Sequence, residues 1–488
     1  MSGDNTNMIL AILPEISLLV LTAVVMVLDL VWCSERRRLL GWITAAGALV
    51  IIGVSVAFSR PVNGPVLIWG GMLRFDDSTF IFRMIFLAGA ALTALFASET
   101  ENLTHHGEFY ALMLVSTLGM DLMASAADLI MLYLAVETTS IALYVMAGFF
   151  THDQKSVESG LKYILFGAMT SAVMLYGFSL LYGFTGTTQI YQLGNLLLTG
   201  KVPLFAQVMA IMLVLVGFGF KISAVPFHFW APDVYEGSPT PVAGFLSTTS
   251  KAAGFAVLLR VMIAMFPPQA VSPSPSQAFT VIVATLAVVS MFVGNLLALA
   301  QRNIKRLLAY SSIAQAGYIL IGVAANSALG TSSAVYYLMA YLLTNLAAFG
   351  IVTIVGKTVG SDELSAYAGL SRRSPGLALA LLVCLLSLGG IPPFAGFFAK
   401  VWVFGAAVQS GLVWLALLGF INSMIALYYY LVVLKVVYLY RSEEDSKPVA
   451  MPVTWKVALI VCIAGVVVLG TIFSPWYGAA SSAAAALF

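Results

Sequence analysis

An all-α, polytopic membrane fold of about fourteen transmembrane helices is predicted by three features of the chain. Hydrophobic residues make up 61% of its 488 residues, charged residues only 9%, and mean hydropathy is +0.99, whereas soluble domains carry roughly 25% charged residues. The apolar residues fall in runs of roughly 20, the length that crosses a hydrocarbon core as a helix. No intervening loop could house a folded soluble domain, so residues 1–488 form a single membrane domain.

The runs fall near 8–32, 39–58, 78–98, 108–127, 128–150, 157–183, 204–235, 241–266, 277–300, 306–325, 331–356, 376–408, 411–440 and 453–473. The first is preceded by Asp4 rather than basic residues and is too long for the core of a signal peptide, which predicts a retained helix. Short turn-like breaks separate the runs, among them SRPVNGP (59–65), FPPQAVSPSPS (266–276) and RSEEDSKP (441–448). Odd-numbered loops hold Arg36, Arg37, Arg38, Lys155, Arg302, Lys305, Arg306, Lys357, Arg372, Arg373, Arg441, Lys447 and Lys456, and even-numbered loops hold Arg60, Arg74 and Lys201. Basic residues favour the cytoplasmic side, so the odd loops are expected there and both termini outside.

The seventh and twelfth runs each exceed thirty residues and carry proline inside, in GFGFKISAVPFHFWAPDVYEG and LSLGGIPPFAGFFAK. Proline removes a backbone donor and clashes with the preceding turn, so both helices are expected to break, near Pro226 and near Pro392 and Pro393. A pair of broken segments in corresponding halves points to an inverted-repeat transport protein. The breaks lie five spans apart, and an odd offset inverts topology. The expected organisation is N-terminal helices 1–3 (1–98), two inverted five-helix repeats (helices 4–8, 108–266, and helices 9–13, 277–440) and helix 14 (453–473). The plainer alternative is that proline is simply commoner in membrane helices than in soluble ones.

Several function classes find no support. The net charge of +2 and the scattered basic residues give no nucleic-acid footprint. Cys33, Cys384 and Cys462 are far apart with no CxxC spacing, and His105, His106, His152 and His228 stand outside any carboxylate-rich cluster, so no metal site is expected. No phosphate-binding glycine loop or nucleophile elbow occurs.

Four charges inside apolar runs carry the functional signal: Glu137, Lys221, Lys251 and Lys400. A charge at the bilayer centre costs about 2.5–3.5 kcal/mol on insertion scales, so each needs a partner, water or a task. Glu137 shares a helical face with Tyr133, Ser140 and Tyr144. Lys221, five residues before Pro226, could be solvated by carbonyls freed at the break, and Glu137 is its natural counter-charge. One acid cannot neutralise three lysines, and a buried lysine without a full counter-charge can exchange protons near neutral pH. Lys251 follows Ser247 and Thr248, and Lys400 follows the second break. Lys162 is read either as functional or as snorkelling to the interface, Lys305 either as functional or as a cytoplasmic anchor, and His228 either as a relay or as a hydrogen-bonded structural group. Arg83, Arg260, Lys435 and Asp29 lie nearer span ends and read as anchors. On the tenth span Ser311, Gln315 and Tyr318 share a face, where Gln315 can orient water but cannot titrate.

The segments KISAVPFHFWAPDVYEGSPTPV (221–242), NIKRLLAYSSIAQAGY (303–318) and GGIPPFAGFFAK (389–400) closely resemble the antiporter-like proton-channel subunits of respiratory complex I, the NADH:quinone oxidoreductase. The resemblance covers essentially the whole chain. PDVYEG and a lysine at position 400 favour the branch of subunit N over the M branch, where glutamate is typical, and the lack of a long lateral helix after the last span disfavours the L branch. Many relatives have histidine where this chain has Gln315, so water would have to bridge there.

The resemblance implies a proton-translocating membrane-arm subunit in a bacterial inner membrane, with neighbouring membrane-arm subunits and the lipid bilayer as direct partners and the peripheral arm as an indirect one. It implies no cofactor in this chain, with NADH, FMN, iron–sulfur clusters and quinone on partner subunits. Residue by residue, Glu137 and Lys221 match the paired fifth-helix glutamate and seventh-helix lysine, Lys251 the central eighth-helix lysine, Lys400 the twelfth-helix lysine, and Lys162 a further family lysine. Two other readings remain open: a cation/proton antiporter subunit without redox partners, and a structural spacer held by static ion pairs.

Overall fold

The computed structural model describes residues 4–62, 64–100, 103, 105–199, 202–266, 273–441 and 449–488. Most of the turn 266–276, all but Arg441 of the link 441–448, and Lys201 and Lys447 lie outside the described residues. The principal helices are α1 (Leu13–Val31), α2 (Leu40–Phe58), α3 (Asp77–Ala97), α4 (His106–Ser125), α5 (Leu129–Ala147), α6 (Gln154–Thr185), α7 (Leu204–Ile222), α8 (Trp230–Gly237) and α9 (Thr240–Met265). They continue with α10 (Pro273–Leu299), α11 (Ile304–Ala324), α12 (Ala328–Val359), α13 (Pro375–Gly389), α14 (Ala395–Gln409), α15 (Val413–Leu439), α16 (Val453–Thr471) and α17 (Phe473–Ala485).

Among the described residues, twelve helices are long and apolar enough to cross a membrane. The other two expected spans are α4, which carries Glu108 and Asp121, and the pair α13 and α14, each 15 residues long. Two elements go beyond the expectation. Loop 59–76 folds a two-stranded antiparallel hairpin, β1 (Val66–Ile68) with β2 (Leu73–Phe75), in the register Val66↔Phe75. Past the fourteenth span, α17 packs on α12.

The bundle is arranged by polarity in the sense that lipid demands. α9, α11 and α12 are almost wholly buried, at 100%, 94% and 89%, whereas α1 is 22% buried. Yet α9 and α11 are the least apolar of the twelve spans. Lipid tails are as apolar as leucine and give no hydrophobic drive for burying apolar helices, so helices bearing hydroxyls, amides and charges withdraw to the centre, where protein can satisfy them.

Both expected breaks are present, and both close in the same way. α7 ends at Ser223 (φ 59°, ψ 37°), with the Ser223 amide on the Phe220 carbonyl at 3.1 Å and the Ala224 amide on the Gly219 carbonyl at 2.8 Å. α13 ends at Gly390 (φ 83°, ψ 41°), with the Gly390 amide on Ser387 at 3.0 Å and the Ile391 amide on Leu386 at 3.0 Å. Each is a left-handed cap whose paired bonds satisfy the last-turn carbonyls. Pro226 and Pro393 follow at the same offset, where the helix could not continue.

Gly390 is required twice over: its backbone is left-handed, and a Cβ there would stand 2.9 Å from Lys400 Cδ. Gly390→Ala is expected to cost about 1–2 kcal/mol in backbone strain and to displace Lys400. A lowered melting temperature of the detergent-purified protein is the measurement that checks it.

Candidate functional site

The start of α5 is fixed by Asp128, whose carboxylate accepts the Ile130 amide at 2.8 Å. Two turns further, Glu137 is half-buried and accepts a hydrogen bond from Ser171 of α6. One turn beyond Glu137, Ser140 receives Lys221 Nζ at 2.9 Å. Glu137 and Lys221 therefore do not form the expected direct ion pair; they interact across one helical turn, with Ser140 holding the ammonium. The freed carbonyl of Phe220 does not solvate Lys221 either. Besides the Ser223 amide it accepts Trp230 Nε1 at 3.1 Å, which ties α8 back to the end of α7. Trp230 stacks on Tyr163 at 4.5 Å and 13°, and Tyr163 meets Tyr144 edge-on at 4.8 Å, so an aromatic cluster joins α5, α6 and α8 beside the end of α7. Lys221 lies in the last turn of its helix, where the carbonyl ends favour a cation.

Lys251 lies at the centre of the bundle and is fully buried. A π-helical turn, Leu246–Ser250, immediately precedes it, a feature that frequently marks functional positions. Its Nζ donates to the carbonyl and hydroxyl of Ser312 on α11, at 2.7 and 2.6 Å. Behind it, Asn345 donates to Ser247 Oγ at 2.8 Å and to the Tyr341 hydroxyl at 3.0 Å. The Tyr235 hydroxyl of α8 lies beside both Ser312 and Ser223. Neither the Tyr235 nor the Ser223 hydroxyl has a hydrogen-bond partner among the described residues, so these two hydroxyls link the first break to Lys251 by proximity alone.

Lys400 reaches back across the second break to the Gly389 carbonyl at 3.2 Å, and lies 4.6 Å from the centre of the Tyr318 ring. A helix-end carbonyl thus solvates Lys400, the arrangement that was expected of Lys221 at the first break and is not found there. Gln315 Nε2 binds the neighbouring Leu388 carbonyl at 3.2 Å and the Tyr430 hydroxyl at 3.3 Å, while its oxygen accepts from Tyr337. Tyr430 also bonds Ser311 at 2.5 Å. The expected face of Ser311, Gln315 and Tyr318 is thus real, and Ser312 belongs to it as well. α11 carries polar side chains from Lys251 on one flank to Lys400 on the other.

The remaining candidates lie away from this row. Lys162 Nζ is 2.6 Å from both Asp233 and Glu158, in a network where Arg306 meets Asp233 at 2.7 Å and Glu236 at 2.9 Å, and Lys155 meets Glu236 at 3.1 Å. These groups rim a cavity of about 120 Å³. Lys305 is paired with Asp362 at 2.9 Å, at the start of α11. His228 is buried in the first break against Phe229, with no partner on Nδ1. No hydrogen bond among the described residues joins it to a lysine of the row.

Two expected anchors are not anchors. Arg260 is buried and forks onto Asp76 at 2.8 and 2.9 Å, with Thr79 at 2.9 Å, Tyr191 at 3.0 Å and the Ala124 carbonyl at 2.7 Å. Arg83 is buried against Glu15. Position along a span cannot show that neighbouring segments fold over its end. Glu15 and Asp121 escaped the reading, although each is a charge inside an apolar run, the same signal that picks out Glu137. Asp29, paired with Arg37 at 3.5 Å, and Lys435, over the Tyr440 ring at 5.6 Å, do sit like anchors.

Residues 126–426, which contain both breaks and Glu137, Lys221, Lys251 and Lys400, match the family model described as NADH:quinone oxidoreductase/Mrp antiporter, transmembrane. The chain belongs to this family. NADH-quinone oxidoreductase subunit N of Moorella thermoacetica is 43% identical, over 93% of this chain and 94% of that one. NAD(P)H-quinone oxidoreductase subunit 2 of Trichormus variabilis is 39% identical, over 97% and 92%. Among solved structures, a chain of respiratory complex I from Thermus thermophilus with bound aureothin aligns with a TM-score of 0.78 at 33% identity, covering 95% of this chain and 98% of that one. The NADH:quinone oxidoreductase/Mrp antiporter family thus supplies a multi-pass bacterial membrane fold into which the row of buried lysines is built.

The two hydroxyl partners are not equivalent. Ser140→Ala leaves Lys221 with no hydrogen bond among the described residues, whereas Ser312→Ala leaves Lys251 its carbonyl. Losing the partner of a buried charged donor costs about 1–3 kcal/mol. Ser140→Ala is therefore expected to lower the melting temperature more than Ser312→Ala, as thermal unfolding of the two purified variants would show.

Proposed function

We propose that this chain is a proton-translocating membrane-arm subunit of an NADH:quinone oxidoreductase, and that Glu137, Lys221, Lys251 and Lys400 form its proton relay. One observation carries the reading. Among the described residues, none of the three lysines has a carboxylate within ion-pair distance; their ammonium groups rest on Ser140, on Ser312, and on a carbonyl and an aromatic ring. A static structural bridge would pair each ammonium with an acid. Neutral partners accept a hydrogen bond from the charged form and tolerate the neutral one, which suits a group that gains and loses a proton.

In this reading a change of charge at one position alters the proton affinity of the next, because coupled groups titrate together. Glu137 acts on Lys221 across one helical turn, Ser223 and Tyr235 flank the step to Lys251, and the α11 hydroxyls with Gln315 lead on to Lys400. Gln315 orients hydrogen bonds while a hydroxyl or water carries the proton past it. Lys162, Lys305 and the acidic groups paired with them form the cytoplasmic rim of the path, with both termini outside, and His228 serves the first break. The two five-helix repeats, 108–266 and 277–440, each contribute one broken helix. The chain itself performs no redox chemistry; flavin, iron–sulfur clusters, NADH and quinone belong to partner subunits, and the neighbouring membrane-arm subunits pack on its lipid-exposed helices.

The family description also names Mrp antiporters, which sustains a second reading, a cation/proton antiporter subunit without redox partners. Co-purification with NADH-oxidising subunits supports the first, and sodium-dependent exchange in their absence the second.

Lys221→Ala is expected to lower the ratio of protons pumped to electrons transferred in the reconstituted complex; unchanged pumping by a fully assembled variant sinks the relay. Lys251→Arg separates charge from titration, since arginine keeps its proton. Pumping should fall although the positive charge remains, and a static ion-pair role predicts no such fall.

A further inference from the structure

Outside the lysine row, a second set of ionisable groups is buried between α1, α3 and α4. Glu15 lies in the first turn of α1, Arg83 in the second turn of α3, and Asp121 in the last turns of α4; they are 6%, 1% and 0% exposed. Arg83 Nη2 donates to Glu15 Oε1, and Arg83 Nε is 4.0 Å from Asp121 Oδ2. Among the described residues, both oxygens of Asp121, Glu15 Oε2, and Nε and Nη1 of Arg83 have no hydrogen-bond partner. We propose that Glu15, Arg83 and Asp121 form a proton-binding site separate from the lysine row, whose ligand is one exchangeable proton held by the two carboxylates against a single guanidinium.

The charges require a ligand. Arginine keeps its proton in proteins, so two ionised carboxylates would leave this pocket with an uncompensated negative charge. Among the described residues no basic group other than Arg83 lies within ion-pair distance of Glu15 or Asp121. Arg260 is held by Asp76, the cap of α3, which Arg74 shares; Arg74 also donates to the Ala486 carbonyl and lies over the Tyr191 ring, and Arg60 lines the cavity beside the loop. Asp29 pairs with Arg37 at the far end of α1, Glu108 and His106 lie at the far end of α4, and α2 carries no charge. On α5, Asp128 is bonded to Thr188 and Glu137 to Ser171; Lys251 of α9 is bonded to Ser312, and Lys357 at the end of α12 to the Glu99 carbonyl. A metal or sodium ion is the poorer ligand, because two unpaired N–H groups of Arg83 sit among the carboxylates and repel a cation. A proton has no such conflict: on one carboxyl it neutralises the excess charge and supplies a donor.

A route for exchange is present. The Ala11 carbonyl accepts from Arg83 Nη2 at 3.4 Å. Ala11 also lines a cavity of about 410 Å³ with Met8, Phe58, Arg60, Val66 and Phe75, beside the hairpin of loop 59–76. Exchange is expected from the face that carries this loop, by water of this cavity reaching the carboxyls past Ala11, since neither the Ala11 carbonyl nor Arg83 passes on a proton. The proton comes from water and returns to water, with no bond other than O–H made or broken.

The test is infrared spectroscopy of the assembled complex at neutral pH in H₂O and D₂O, comparing wild type with Asp121→Asn. Wild type minus variant is expected to show one protonated-carboxyl C=O band that shifts in D₂O, lost in Asp121→Asn. Glu15→Gln, also near-isosteric, should lose the same band, because a single acid facing Arg83 has no need of the proton; it stands in should Asp121→Asn fail to assemble. Identical protonated-carboxyl spectra in wild type and variants, or a band that does not exchange, would overturn the site. The readout does not depend on pumping, so it stands or falls apart from the lysine row.

Discussion

Hydrocarbon offers nothing to a bare carbonyl or an ammonium, and the interior of this protein is organised around that fact. Breaking a helix at membrane depth exposes carbonyls, and burying a lysine removes it from water. At the second break each need answers the other: the carbonyls of Leu388 and Gly389 receive Gln315 and Lys400. At the first break the exposed carbonyl goes to Trp230, and Lys221, one residue on, must look across to Ser140. The two breaks share a capping geometry while their lysines are solvated differently. One ammonium rests on a helix end and the other on the neighbouring helix.

The same constraint sorts the helices. α9 and α11, the least apolar spans, are the most enclosed, and α1 faces outward. Burial here is driven by polar satisfaction and close packing rather than by exclusion from water. Gly254, beside the Lys221 side chain, and Gly89, against Thr249, let backbones approach so that hydroxyls and amides reach across. The outcome is a core threaded by serine, tyrosine, asparagine and glutamine. Such side chains can hold an ammonium without fixing its protonation state.

Two kinds of buried charge therefore coexist. Arg260 with Asp76 is fully matched, a two-pronged bridge with satisfied donors, and fits a permanent tie between α9 and the start of α3. The lysine row and the Glu15–Arg83–Asp121 cluster are unmatched, the first lacking acids and the second lacking a base. The proposed proton relay and the proposed proton-binding site both rest on charge counts that do not close.

The spans, the two breaks and the four leading charges could be read from residue order, because each depends on local covalent facts: run length against bilayer thickness, proline's missing donor, and a charge amid apolar neighbours. Glu15 and Asp121 satisfy the last criterion as Glu137 does, and Arg83 and Arg260 look like anchors in the sequence because they stand near span ends. Partner choice is what residue order could not supply. That Ser140 rather than Glu137 holds Lys221, that Ser312 meets Lys251, and that a π-turn precedes Lys251 depend on how helices distant in sequence rotate and approach. Those rotations come from packing and from hydrogen bonds between α5 and α7, α9 and α11, and across each break. Composition dictated that charges would be buried, and tertiary packing alone decided which of them meet an opposite charge and which rest on hydroxyls, carbonyls and rings.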